Sequence, residues 1–352
     1  MRQVVFIGII MALLQTGCER TSVAAPKIPM EDWQQFQEKF ISRDGRVIDT
    51  VNDRVSHSEG QGYGMLLAHA AGDKETFQKL WDWTRQNLQI RQNDKLFAWK
   101  WEPSPGGGGE VTDTNNASDG DVLIAWALYR AGVSWERKDY YDAAKEISAE
   151  VREKLLRRSG RATYLLPGSV GFVHDDSIVV NLSYWVFPAF QDLHRLDGSE
   201  DWLNLNATGL ALLHHARYGE WNLPPDWLKI GQNDMAPAED FEPLYSYNAI
   251  RIPLHLVWAE MERDELLKPY ADYSTRLGLG DDAQIPASIN LNTGKYSEDK
   301  ALTGMQAILK LTRAVRQNRS GIVLPALDPE EEYYSAALLL LTKLAQAERS
   351  ER

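Results

Sequence analysis

Phe77-Gln78-Lys79-Leu80-Trp81-Asp82-Trp83-Thr84-Arg85-Gln86-Asn87-Leu88 places Phe77, Leu80, Trp81, Thr84 and Leu88 at three- and four-residue steps. That spacing lines one face of an α-helix. Trp33, Phe36 and Phe40 show the same period earlier in the chain, and it returns many times later. The pattern predicts helices over about 31–41, 60–72, 74–88, 119–132, 138–157, 183–195, 200–216, 248–261, 263–275, 300–316 and 330–347. Strand signals are sparse: Thr163-Tyr164-Leu165-Leu166 and Gly171-Phe172-Val173-His174 read as a short hairpin across Pro167-Gly168. No linker rich in Ser, Pro or charge divides the chain, so residues 25–352 read as one all-α domain around a single core.

The 352 residues are ample for such a core. A formal net charge of −12 argues against a nucleic-acid partner, whose phosphates it would repel, and suits a neutral one. At the N-terminus Met1-Arg2, the apolar run Val4 to Leu14 and Thr21-Ser22-Val23-Ala24-Ala25 follow the order of a secretory signal, with cleavage expected after Ala24. The apolar run is short for a membrane span. Cys18 is the only cysteine, so no intrachain disulfide forms and stability rests on packing. Leu14-Gln15-Thr16-Gly17-Cys18 also resembles a lipoprotein processing site, but Gln15 stands where such sites carry an apolar residue. The expectation is therefore release into the periplasm or medium, with lipid anchoring through Cys18 as the lesser alternative.

Irregular segments at about 89–118, 158–182, 217–247 and 276–299 separate the helices, and loops of that length in a compact domain usually serve function. Trp99, Trp101, Tyr164, Phe172, Trp221, Trp227, Tyr245 and Tyr247 lie in or beside them, as rings for stacking on a ligand or as pins holding loop to core. Gly106-Gly107-Gly108-Gly109 reads as a loop tip, because no strand precedes it and no Lys-Ser/Thr follows.

Two acidic clusters open helices. In Ser58-Glu59-Gly60-Gln61-Gly62-Tyr63-Gly64-Met65, Ser58 is the expected cap and Glu59 falls in the first turn. Such a carboxylate ordinarily complements the helix dipole. Gly60, Gly62 and Gly64, however, cost helix stability and make sense if a ligand or another backbone comes close. In Ala117-Ser118-Asp119-Gly120-Asp121, Ser118 or Asp119 is the expected cap. If Asp119 and Glu59 face one cavity, their repulsion raises one pKa, which a general acid needs near neutral pH.

The Glu59 run and Ala117-Ser118-Asp119-Gly120-Asp121-Val122-Leu123-Ile124-Ala125-Trp126-Ala127-Leu128 resemble the two signatures of family-8 glycoside hydrolases. Asp44-Gly45-Arg46-Val47-Ile48-Asp49, Trp81-Asp82-Trp83-Thr84, Phe97-Ala98-Trp99-Lys100-Trp101 and Tyr247-Asn248-Ala249-Ile250-Arg251 extend the resemblance over about residues 31–345, toward the periplasmic endoglucanases that accompany bacterial cellulose synthases. The resemblance implies an (α/α)6 barrel with long loops forming an open cleft for a β-1,4-glucan chain, cut with inversion, with a cellulose synthase complex as a further expected partner. It implies Glu59 as proton donor and Asp119 as second carboxylate. Trp99, Trp101, Tyr184, Tyr247 and Arg251 are the candidate substrate-binding residues, Arg251 also as a partner for a carboxylate or in a plain surface ion pair. No metal or cofactor and a monomeric state are expected. A chitosanase or xylanase on the same fold, or a non-catalytic glucan-binding protein, are the alternatives.

One position departs from the family. Many members carry a basic Asp where this chain has Asn248, and an amide does not take up a proton at neutral pH. Asp119, or Glu239, Asp240 or Glu242 in the preceding loop, are the substitutes the sequence offers, with Asn248 itself able to orient a water. His174-Asp175-Asp176 reads as a solvated loop without a second His at ligand spacing. His214 and His215 are expected on opposite sides of a helix. No G-x-S-x-G elbow, H-E-x-x-H helix or P-loop occurs.

Overall fold

The computed structural model describes residues 25–277 and 285–351. The expected signal segment and Cys18 lie outside them. Among the described residues no helix is long and apolar enough to cross a membrane.

Eleven α-helices form, one for each predicted: α1 (Met30–Phe40), α2 (Ser58–Ala71), α3 (Lys74–Asn87), α4 (Ser118–Ser134), α5 (Lys138–Glu150), α6 (Phe187–Asp197), α7 (Asp201–His215), α8 (Arg251–Trp258), α9 (Asp264–Arg276), α10 (Thr303–Arg316) and α11 (Tyr333–Ser350). Helices α2, α4, α6, α8, α10 and α11 are successive neighbours, and α11 returns to α2, closing an inner ring. The other five pack outside it, as expected of an (α/α)6 barrel. The burial of α2, α4, α8 and α11 agrees: they are apolar nearly all round, whereas outer α3 buries only its Phe77, Leu80, Trp81 and Thr84 side and the next turns of it.

The glycines of the two acidic clusters belong to this packing. A Cβ on Gly62 would lie 2.6 Å from Leu123 Cβ, and one on Gly120 would lie 2.1 Å from Ser58 Oγ. Backbone meets backbone where α2 crosses α4. The close approach anticipated at the glycines is thus made by a neighbouring helix rather than by a ligand.

Several local expectations are corrected. Residue 138–157 is not one helix: α5 loosens into a π turn at Val151–Leu155 and the chain then forms a strand, Leu156–Ser159, paired with Ala162–Leu165. Thr163–Leu165 therefore pairs with the segment before it, not with Gly171–His174. Val173 instead bridges Ile178, beside a sheet of Ser177–Val180, Leu228–Gly231 and Met235–Pro237. The four glycines do form a tip, turning between strands Lys100–Pro103 and Gly109–Asp113. Gly106, Gly107 and Gly108 all adopt positive φ there, which a side chain would oppose. The rings of His214 and His215 are not divergent but meet edge to face, centroids 5.1 Å apart.

Two buried carboxylates tie loops to the barrel mouth. Asp121 accepts hydrogen bonds from Phe97 N–H (2.9 Å) and Asn116 Nδ2 (2.7 Å), fixing the segment that leads to Trp99; burial nonetheless pushes its carboxyl up to about 7. Asp226 accepts from Ser246 N–H, Ser246 Oγ and Ala249 N–H, and so shapes the turn that carries Tyr247 and Asn248. Those two residues precede α8, which begins at Arg251 rather than near 248.

Candidate active site

Glu59, Asp119, Arg251 and Tyr333 all sit at or near the first turns of inner helices, so the ring brings them to one end of the barrel. A cavity of about 460 Å³ opens there, lined by Asp49, Glu59, Tyr247, Asn248, Arg251 and Glu332 among others.

The start of α2 is capped by His57 and not by Ser58. His57 Nδ1 accepts the Gly60 N–H at 3.1 Å, which leaves the ring proton on Nε2, directed at Asp49 Oδ2 3.5 Å away. Ser58 is the first helical residue, fully buried. On α4 neither Ser118 nor Asp119 caps: the cap position is Ala117, without a side-chain bond, and Asp119 Oδ1 accepts from Gly120 N–H at 2.8 Å.

Arg251 organises the centre. Its guanidinium is buried and its Nη1 donates to Glu59 Oε2, to Asp119 Oδ2 at 3.1 Å and to Tyr63 Oη at 3.1 Å. Nη2 donates to Ser183 Oγ and to Asn248 Oδ1, each at 2.9 Å. Arg251 is therefore no surface ion pair but a buried cation between two carboxylates, and Glu59 and Asp119 crowd the same Nη1. Burial, followed by the negative charge of Glu59, pushes Asp119 well above its ordinary value. Burial also pushes Glu59 up, but Arg251 first and then His57 outweigh it and hold Glu59 below its ordinary value. The raised member of the pair is thus Asp119, where burial and the Glu59 charge outweigh Arg251.

The sugar-binding candidates divide. Tyr184 lies under the Arg251 guanidinium, 5.5 Å from carbon to ring centroid, and edge-on to Trp227. Trp227 stacks between Phe172 (5.8 Å) and Phe241 (4.4 Å), giving a run of rings that leads away from Arg251. Tyr247 is 43% exposed at the cavity wall. Trp99 is half-buried, its Nε1 donating to Asp113 Oδ2 at 2.8 Å. Trp101 does not stand free: it is buried against Trp83, under the Arg46 guanidinium and close against Gly109. Trp221 and Tyr245 are likewise core rings, both packed on Tyr273.

The loop acids do not reach the cavity. Glu239 pairs with Lys229 at 3.1 Å, and Asp240 and Glu242 are exposed. Sequence reasoning passed over Tyr63, Ser183, His57, Asp49, Tyr334 and Glu332. Tyr63 was within reach, since four residues after Glu59 is the same helix face; Ser183 and Glu332 come from remote segments and gave no local signal.

Paired carboxylates and a buried Arg at the mouth of an (α/α)6 barrel, beside a run of rings, are the equipment of a glycoside hydrolase, and residues 7–348 match the model of Glycosyl hydrolases family 8, to which the chain belongs. It is 40% identical over 328 residues to a probable endoglucanase of Novacetimonas hansenii, with 93% of each chain covered. Among solved structures it superposes on the endo-β-1,4-glucanase CMCax from Acetobacter xylinum with a TM-score of 0.84 and 39% identity, covering 93% of this chain and 100% of that one. The endoglucanase Cel10 from Klebsiella pneumoniae gives a TM-score of 0.83 at 36% identity, over 92% and 100%.

Proposed function

We propose that this chain is an exported inverting endo-β-1,4-glucanase that cuts cellulose chains in the periplasm or outside the cell, in the service of cellulose synthesis. The observation that carries the reading is the pair of carboxylates, Glu59 and Asp119, clamped by Arg251 at the cavity. Glu59 lies on the cavity side, with 17% of its side chain exposed against 2% for Asp119, so Glu59 is the member that meets the glycosidic oxygen. Burial raises the neighbouring Asp119 carboxyl, which can supply Glu59 with a proton once an entering sugar draws Arg251 off the Glu59 carboxylate. Glu59 then donates it to the leaving oxygen, and a water attacks the anomeric carbon from the opposite face. Tyr247, exposed at the cavity wall, offers a ring face to a glucose unit.

Reducing-end release from carboxymethylcellulose tests the activity, and proton NMR of early products tests the stereochemistry, with the α-anomer expected first. Glu59→Gln should lower kcat on the order of 10³-fold with KM nearly unchanged; full retained activity would remove Glu59 from its role. The second reading, a glucan-binding protein without turnover, draws on Asn248, and cello-oligosaccharide binding without any reducing-end release would favour it.

A further inference from the structure

We infer that Glu332, the residue before α11, is the base that activates the attacking water in place of the missing Asp at position 248. The inference rests on the hydrolase reading above and proceeds by geometry. An inverting enzyme keeps its two carboxyl groups roughly 6.5–9.5 Å apart so that a water fits between sugar and base. Asp119 and Glu59 both sit on Arg251 Nη1, which leaves no such space between them. Asn248 cannot accept a proton, and its side-chain carbonyl is already engaged by Arg251 Nη2. Glu239, Asp240 and Glu242 do not line the cavity.

Two further carboxylates do line it, Asp49 and Glu332. Asp49 is committed: Oδ1 accepts the N–H groups of Val51 (3.2 Å) and Asn52 (3.3 Å), and Oδ2 faces His57 Nε2. Those donors outweigh burial and hold its carboxyl below the usual range, which makes it a reluctant proton acceptor. The Glu332 carbonyl accepts the Ala336 N–H, but its carboxylate makes no hydrogen bond or ion pair to another described residue, so the carboxylate oxygens are available to a water. Its place on the wall is firm, because Tyr334 Oη, two residues on, donates to the carbonyl of Tyr247, next to Asn248. Glu332 and Asn248 thus stand on adjacent parts of one wall, the first able to take a proton and the second able to orient a water through its amide N–H groups.

The step balances without a co-reactant. The water oxygen bonds to the anomeric carbon as the bond from that carbon to the leaving oxygen breaks. Glu332 receives the water proton, Glu59 supplies the leaving-group proton, and solvent exchange restores both.

The test uses the full mature chain with Glu332→Gln, Glu332→Gly and Asp49→Asn, assayed on cellohexaose with and without sodium azide. Glu332→Gln should retain cellohexaose affinity and thermal midpoint but lose at least 10²-fold in kcat. It should also lose the acidic limb of the parental kcat–pH profile. In Glu332→Gly azide should restore turnover and yield an α-glycosyl azide. The inference is overturned if Glu332→Gln stays within threefold of the parent, or if azide rescue appears in Asp49→Asn instead. A parent that binds cellohexaose but never cleaves it would refute the hydrolase reading itself, so the two failures are distinct.

Discussion

Among the described residues Arg251 alone pairs with both Glu59 and Asp119, and replacing it by Met removes that cation while nearly keeping side-chain volume. Burial raises Asp119 toward its neutral form while Arg251 holds Glu59 below its ordinary value, so the group left unbalanced is the Glu59 carboxylate. An uncompensated buried charge costs about 3–5 kcal/mol. Glu59 has an escape, which is to take up a proton and become neutral. From its ordinary value of 4.5, that costs about 3 kcal/mol at pH 7 and about 1 kcal/mol at pH 5, at roughly 1.4 kcal/mol per unit. The variant should therefore be destabilised by about 3 kcal/mol at pH 7 through this route, in addition to a pH-independent loss from the bonds to Ser183, Asn248 and Tyr63. About 2.7 kcal/mol should return between pH 7 and pH 5, two units at roughly 1.4 kcal/mol each before rounding. Urea unfolding of parent and variant at both pH values, compared as differences, reads this directly. A destabilisation that is the same at the two pH values would show that Glu59 is not the stranded charge.

Gly120→Ala should destabilise by about 1–3 kcal/mol through overpacking, because the new methyl meets Ser58 Oγ and lies 2.8 Å from Glu59 N. It should also lower kcat more than tenfold by parting the two carboxylates; a thermal midpoint and kcat equal to the parent would count against the close crossing of α2 and α4. His255 is held at about 3, first by burial and then by Arg251, against 6.5 in the unfolded chain. Its folded form refuses the proton that its unfolded form accepts. The stability tied to its neutrality is thus complete above pH 6.5 and declines as pH falls toward 3, by up to about 5 kcal/mol. His255→Gln should flatten the fall of the thermal midpoint over that range, and an unchanged slope would refute the assignment.

Helices were legible because their periodicity is local: each of the eleven buries a face whose residues lie three and four apart, whatever it packs against. The short strands were not. Lys100–Pro103 and Ser177–Val180 are held by partners at 109–113 and 228–231, and their few residues carry too little alternation to declare themselves. Helix ends shifted where a side chain from elsewhere decided the cap or the turn, as Asp226 does before α8.

By itself the sequence determined that Glu59 and Asp119 stand at helix starts, that rings crowd the loops, and that position 248 cannot be a base. Those are properties of residue type and near spacing. Only the tertiary structure decided that Arg251 is buried between Glu59 and Asp119, that Trp101 is a core ring, and that Glu332 shares a cavity with Glu59. Each of these depends on which remote group arrives at a few ångströms: Arg251 beside Glu59, Arg46 and Gly109 over Trp101, and α11 closing the ring against α2. Charge and burial act through space, and in this chain the distances are set by the closure of the barrel.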